Sequence, residues 1–207
     1  MIFQILTIIV FILAVLFILF IAFWKLYFLR NPERIPPKGK NIISPADGKI
    51  ISIIPIKKER IKIKKRKIGK INALVKDTLK EGYLISIFMS LFDVHVNRAP
   101  VDGKIISTKH TRGKFLPAYN LDALENEKNE IIIKNKILGK IKVIQVAGFI
   151  ARRIRCYVKK NQKIIKGERI GLINMGSQVT LIVPKNIKLK IKKGQKVKAG
   201  KTILATY

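Results

Sequence analysis

At 207 residues the chain has room for one domain and a short appendage. Its 43 lysines and arginines face only 12 acidic residues, for a formal net charge of +31. The single cysteine excludes a disulfide scaffold, and with only two histidines beside it there is no recognisable zinc-ligand spacing.

Twenty residues from Ile5 to Trp24 carry no charge, and Thr7 is their only hydrogen-bonding side chain apart from the indole of Trp24. As a helix this stretch would reach about 30 Å, the thickness of a bilayer's hydrocarbon core. A secretory signal peptide is the rival reading. No basic residue precedes the run, no small-x-small cleavage site follows it, and it is long for such a leader. Residues 1–24 are therefore expected to be a retained transmembrane anchor. Lys25, Arg30, Arg34, Lys38 and Lys40 follow the span, so the positive-inside bias predicts a cell-membrane protein with its long C-terminal part in the cytoplasm. A reducing compartment agrees with the unpaired Cys156. Trp24 and Tyr27 are placed to sit at headgroup level.

The anchor bears on what the charge is for. Clustered lysine and arginine commonly serve nucleic acid, but a soluble nucleic-acid binder has little use for a membrane span, and no nucleic-acid partner is expected. Attraction to anionic lipid and a plain compositional bias toward isoleucine and lysine both account for the charge.

Residues 25–40 read as a juxtamembrane linker, with Pro32, Pro36 and Pro37 interrupting any helix. From residue 41 to 207 short apolar runs alternate with glycine and proline. Ile50–Ile56, Tyr83–Met89, Ile137–Val146 and Val179–Val183 are predicted strands. Leu121–Asn129, capped by Asn120, is the best helix candidate, and Ala151–Val158 fits either element. Nine of the fourteen residues from Lys57 to Lys70 are basic, which fits an exposed hairpin or a surface pressed on anionic headgroups.

Two echoes organise this domain. Pro45-Ala-Asp-Gly-Lys-Ile-Ile-Ser52 recurs as Pro100-Val-Asp-Gly-Lys-Ile-Ile-Ser107, and Lys159-Lys-Asn-Gln-Lys163 as Lys192-Lys-Gly-Gln-Lys196. Each reads as a tight turn leading into a strand. Together they predict a mainly β domain with few short helices, a compact sandwich or barrel with turns of the biotinyl-lipoyl type, preceded by one N-terminal transmembrane helix.

Imidazole chemistry must come from His95 or His110. His95, in Asp93-Val-His-Val-Asn-Arg-Ala-Pro100, follows a predicted strand closely enough to serve either as a structural hydrogen-bonder or as a catalyst. Gly176-Ser177 looks like a glycine turn entering a strand; it is neither a nucleophile elbow nor a phosphate loop.

Taken in order, six segments carry more than their parts: Leu29-Arg-Asn-Pro-Glu-Arg34, Ser44-Pro-Ala-Asp-Gly48, Phe88-Met-Ser-Leu-Phe-Asp-Val-His-Val-Asn-Arg-Ala-Pro100, Gly113-Lys-Phe-Leu-Pro-Ala118, Ala151-Arg-Arg-Ile154 and Met175-Gly-Ser177. With them the chain resembles the short form of the phosphatidylserine decarboxylase proenzymes, including the archaeal archaetidylserine decarboxylases. The resemblance implies an autocatalytic cut between Gly176 and Ser177. Chains 1–176 and 177–207 then remain together as a heterodimer, and Ser177 becomes a pyruvoyl cofactor. It implies a Schiff base with the amine of a serine phospholipid, loss of CO2 and release of the ethanolamine lipid. Ser177, His95 and Asp47 are the implied catalytic residues, His95 delivering a proton and Asp47 orienting the groups that activate Ser177. Where longer relatives carry a second histidine, this chain has Arg98, a poor base that could instead grip the substrate's phosphate or carboxylate. The alternatives are a non-catalytic, membrane-tethered basic β-domain that binds anionic lipid or nucleic acid, and a structural envelope protein.

Overall fold

The computed structural model describes residues 2–56, 75, 77–79, 81–114, 116–119, 121–148, 153–174 and 177–207. The uncharged stretch forms helix α1, Ile2–Ala22, which runs on as a π-helical turn over Phe23–Phe28. Together they make one helix long and apolar enough to cross a membrane. No residue of α1 is buried against the rest of the chain, as befits side chains suited to hydrocarbon rather than to a core. The helix passes Trp24, where the sequence anticipates its end, and closes after Phe28. There the N–H groups of Leu29 and Arg30 donate to the carbonyls of Trp24 and Tyr27 at 3.1 and 3.3 Å.

The remainder is mainly β. In chain order the strands are β1 (Asn41–Ile43), β2 (Gly48–Ile56), β3 (Gly82–Met89), β4 (Val96–Arg98), β5 (Gly103–Thr111), β6 (Lys128–Asn135) and β7 (Gly139–Val146). They continue as β8 (Ile154–Cys156), β9 (Lys163–Ile164), β10 (Arg169–Ile173), β11 (Ser177–Pro184), β12 (Lys188–Leu189), β13 (Lys196–Val197) and β14 (Ile203–Thr206). Eight of them form one antiparallel sheet in the order β13-β2-β3-β11-β7-β6-β5-β9, curled into a half-barrel. Two three-stranded sheets, β1-β14-β12 and β4-β10-β8, complete the domain. Ile85, Ile87, Ile131, Val143, Val179 and Leu181 meet side chains of the small sheets in the main core, while Leu84, Ile144 and Ile182 pack in a second cluster with Val75, Ala123 and Leu124. Strand β11 feeds both clusters, which is why it reads as a continuous apolar run.

The eight-stranded order is a palindrome, and the sequence echoes are its cause. β2 with β13 repeats as β5 with β9, each with its register shift at the same place, Ile50/Ser52 and Ile105/Ser107. Gly194 and Asn161, equivalent in the lysine echo, both take positive φ, +89° and +74°. Two residues before each, a lysine, Lys192 or Lys159, donates its N–H to the glutamine side chain three residues on, at 3.1 Å in both copies. Of the two Asp-Gly pairs only Gly48 has positive φ. Gly103 is required by close approach instead, since a Cβ there would lie 2.6 Å from the Lys134 carbonyl oxygen.

Leu121–Asn129 is not a helix through its length. A 3-10 turn over Leu121–Glu125 gives way to β6 at Lys128. Buried Asn126 bonds the main chain of Leu116 and Ala147, a loop closure that an extended helix would break. Strand β7 begins at Gly139 rather than Ile137, because the N–H groups of Ile137 and Leu138 both donate to Asn135 Oδ1 and close a tight turn. The ambiguous segment resolves as strand β8 over Ile154–Cys156. Asn120, Ala151, Arg152, Met175, Gly176 and the basic hairpin expected over 57–70 lie outside the described residues.

Candidate active site

Strand β3 ends at Met89 and β11 begins at Ser177, its register partner. Ser177 is fully buried, and its Oγ has no hydrogen-bond partner among the described residues. By alternation with Val179 and Leu181 it belongs to the inner face of the sheet. A polar chain occupies this end of that face. Asn129 Nδ2 donates to Gln145 Oε1 at 2.8 Å, Gln145 Nε2 to Asn97 Oδ1 at 2.8 Å, and Asn97 Nδ2 approaches Met89 Sδ at 3.8 Å.

His95 stands two residues before Asn97, just ahead of β4. Its Nδ1 lies 2.8 Å from the Asp93 carbonyl oxygen. A carbonyl only accepts, so Nδ1 carries the proton and Nε2 presents a lone pair in the neutral ring. That Nε2 is buried and also has no partner among the described residues. The Asp93 carboxylate in turn receives the N–H and hydroxyl of Ser90, fixing the loop that positions the imidazole. Phe28, from the last turn of the N-terminal helix, covers the ring with centroids 4.2 Å apart. Desolvation by burial lowers the His95 pKa to about 4, outweighing the Asp93 hydrogen bond that would raise it. At neutral pH His95 is therefore an uncharged imidazole. Ile173, the last residue of β10, donates its N–H to the His95 carbonyl at 3.3 Å, and Ser177 is four residues further on in the sequence.

Asp47 sits in the turn that enters β2, two residues before Lys49 of the Lys49–Phe88 pair, and β2 lies on the opposite side of β3 from the strand of Ser177. Arg34 grips both of its carboxylate oxygens, the Nη2–Oδ2 contact being 2.8 Å, and the Ala199 N–H donates to Oδ1 at 2.7 Å. Its charge acts to raise the His95 pKa, the least of the influences on that ring. Arg98 extends from β4 in a different direction. Its Nη1 donates to the Gly167 carbonyl at 2.9 Å, and its Nη2 to the Pro32 carbonyl at 2.9 Å and to Asn31 Oδ1 at 3.3 Å. Burial, then the like charges of Arg169 and Arg34, lower its pKa.

Residues of the segment expected as a juxtamembrane linker pack against the candidate site residues. Phe28 covers His95, Arg34 holds Asp47, Asn31 receives bonds from Arg98 and Arg169, and Glu33 pairs with Arg169. Nothing in the spacing of these residues assigns them such partners. The one legible sign of the polar chain was Gln145, a lone amide inside an apolar strand.

A family model described as phosphatidylserine decarboxylase matches residues 21–205. Among curated relatives, a putative archaetidylserine decarboxylase proenzyme of Methanothermobacter thermautotrophicus is 45% identical over 186 residues, 88% of this chain and 80% of its own. A phosphatidylserine decarboxylase proenzyme of Chlorobium phaeobacteroides is 44% identical over 184 residues, 88% of this chain and 78% of its own. A putative archaetidylserine decarboxylase proenzyme of Methanocaldococcus jannaschii is 43% identical over 187 residues, 87% of this chain and 88% of its own.

Proposed function

We propose, on the premise that this chain belongs to the phosphatidylserine decarboxylase family, that it cuts itself before Ser177 and decarboxylates a serine phospholipid. The lipid is phosphatidylserine or archaetidylserine, since both present the same phosphoserine. The observation that carries the reading is that Ser177 Oγ and His95 Nε2 are two of the five buried side-chain polar atoms left without a hydrogen-bond partner among the described residues, and the only two of them on residues that the family resemblance marks as catalytic. Unsatisfied buried groups are costly, and they are kept where a reaction uses them.

In the self-cleavage, the neutral His95 Nε2 accepts the proton of the Ser177 hydroxyl. The freed oxygen attacks the carbonyl of Gly176, and the acyl group passes from nitrogen to oxygen. Loss of the Ser177 α-proton then expels the Gly176 carboxylate by β-elimination. The dehydroalanine left at position 177 takes up water, releases ammonia and becomes a pyruvoyl group. Because Ser177 is held against Met89 on β3, and β11 against both β3 and β7, the new chain end stays in place.

A pyruvoyl group supplies a ketone that condenses with a primary amine and draws off the electrons released with CO2. This chain's residues handle the protons. His95 carries none at Nε2 at neutral pH, so the proton it delivers to the substrate carbon is first collected there, from the ammonium of the incoming serine headgroup. Asp47, kept in register by Arg34, orients the activated groups and favours the imidazolium while it exists. Arg98, expected as a grip on substrate, has both Nη atoms engaged, and we assign it instead to bracing residues 31 and 32 against the domain. The catalytic domain faces the cytoplasm, on the side marked by Lys25, Arg30 and Arg34. The cleaved chains 1–176 and 177–207 work as a heterodimer.

Intact-mass measurement on the folded protein should find two chains, the smaller starting with a ketone instead of an amine. Ser177→Ala should give one uncut chain without decarboxylase activity. An uncut wild-type protein that decarboxylates serine lipid would sink the mechanism.

A further inference from the structure

Beside the site lies a short loop, Ser90–Asp93, whose two middle side chains, Leu91 and Phe92, have no role in the mechanism above. Its apolar side chains point away from the domain: Phe92 is 65% exposed, and Leu91 is exposed as well. The loop is nonetheless firmly attached. Arg30 Nη2 and the Tyr27 hydroxyl both donate to the Phe92 carbonyl, and the Arg30 guanidinium lies 3.9 Å over the Tyr27 ring. The Phe92 ring meets Phe23 and Tyr27 edge-on, with centroids 6.4 and 6.5 Å apart.

Those two partners fix the level of the loop. Phe23 and Tyr27 are one turn apart at the end of the helix that is long and apolar enough to span. If that helix crosses the bilayer, its last aromatic turn stands in the headgroup layer, and a ring packed on that turn stands there with it. We propose that Leu91 and Phe92 insert into the bilayer interface as a second membrane contact, holding the mouth of the site at headgroup depth so that the serine lipid enters laterally with its tails still in the membrane. The occupant is lipid rather than protein because the patch is continuous with the apolar span and flanked by the cations Lys25 and Arg30. The loop also meets the chemistry directly. Asp93, next to Phe92, supplies the carbonyl that holds His95 Nδ1, so the bilayer contact and the imidazole are two ends of one braced segment.

This inference rests on the decarboxylase reading for its substrate but not for its geometry, and the test separates the two. In full-length protein carrying Trp24→Phe, so that Phe92→Trp adds the sole tryptophan, the protein is placed in phosphatidylcholine nanodiscs. Lipids brominated near the top of the acyl chain should quench the indole, and acrylamide should barely reach it. Quenching by acrylamide as for a free indole, with none by brominated lipid, would overturn the proposal. Phe92→Ser should still self-cleave, and its turnover of serine lipid in vesicles should fall about tenfold, as expected when one inserted aromatic is lost. Its turnover of a monomeric, short-chain serine lipid should be unchanged. Equal losses on both substrates would also overturn the proposal. A wild-type protein that turned over neither lipid would sink the decarboxylase reading and leave the quenching result to decide this one.

Discussion

Phe28→Ala tests whether the N-terminal helix sets the basicity of the His95 imidazole. Phe28 is fully buried, and its ring lies against that of His95. Desolvation is the largest cause of the depressed His95 pKa. Replacing the ring by a methyl group lets water reach the imidazole, and its pKa should rise from about 4 toward the ordinary 6.5. The consequence is largest between those limits. At pH 5.5 a base titrating at about 4 is about 97% neutral, whereas one titrating at 6.5 is about 9% neutral. Refolding the denatured precursor into detergent at a series of pH values and following its two fragments on gels gives the cleavage rate directly. Wild-type cleavage should be flat from pH 8 to 5.5 and fall only near pH 4. In Phe28→Ala the rate at pH 5.5 should drop up to about tenfold below its own value at pH 8. The comparison within one variant removes any general loss from the cavity, which alone could cost about 3 kcal/mol. An acid limb that stays where the wild type has it would refute the link between Phe28, burial and the base.

Arg34→Gln leaves the Asp47 carboxylate without its bidentate partner in a site where both side chains are nearly buried, and cleavage should slow by at least tenfold, with Arg34→Lys recovering part of it. Rates of the three proteins at one pH decide this; equal rates would remove Arg34 from the argument. His95 should also couple stability to pH. Its folded pKa lies below its unfolded one, so its contribution is complete above pH 6.5 and is lost as pH falls toward 4, amounting to about 3 kcal/mol. Thermal melts of wild type and His95→Gln should therefore converge as pH falls across that window; parallel melts would contradict the assignment. Gly48→Ala should prevent accumulation of folded protein, since its Cβ would lie 2.0 Å from the Phe88 carbonyl oxygen on a backbone with φ of +137°. Recovery of soluble, self-cleaved Gly48→Ala would refute that.

What the sequence disclosed follows from the range of the interactions involved. Apolar runs such as Val179–Val183 disclose strands because burial on a sheet selects for them locally. The span was legible for the same reason, though its last turn was not. Phe28 belongs to the helix because its ring stacks on Trp24 at 4.5 Å and packs on His95, a residue distant in the chain. Leu121–Asn129 misled because Asn126 and Asn129 answer to Leu116, Ala147 and Gln145 rather than to their neighbours. The juxtamembrane residues were recognisable as a motif without a mechanism, since Arg34 and Asn31 acquire their roles only through Asp47, Arg98 and Arg169.

The internal repeat bears on why the proposed cleavage would belong to one end of the half-barrel. Asp47 and Asp102 are equivalent, and each accepts one main-chain N–H at 2.7 Å, from Ala199 and from Lys166. An Asp-Gly turn of this kind is therefore architecture in both copies, and only Asp47 has Arg34 on its carboxylate. The strands differ in a second way. β6 returns directly into β7 through the turn closed by Asn135, pairing Asn135 with Gly139. Their counterparts, Met89 and Ser177, are paired in the same manner, but the chain between them has been opened into a long excursion that carries the loop at 90–93, His95 and β10. Ser177 thus occupies a hairpin position without a hairpin turn. A backbone cut before it breaks no pairing of β11 with β3 or β7, so the fold can lose a peptide bond there and keep its sheet. At Gly139 the same cut would open the turn that sets the register of β6 and β7.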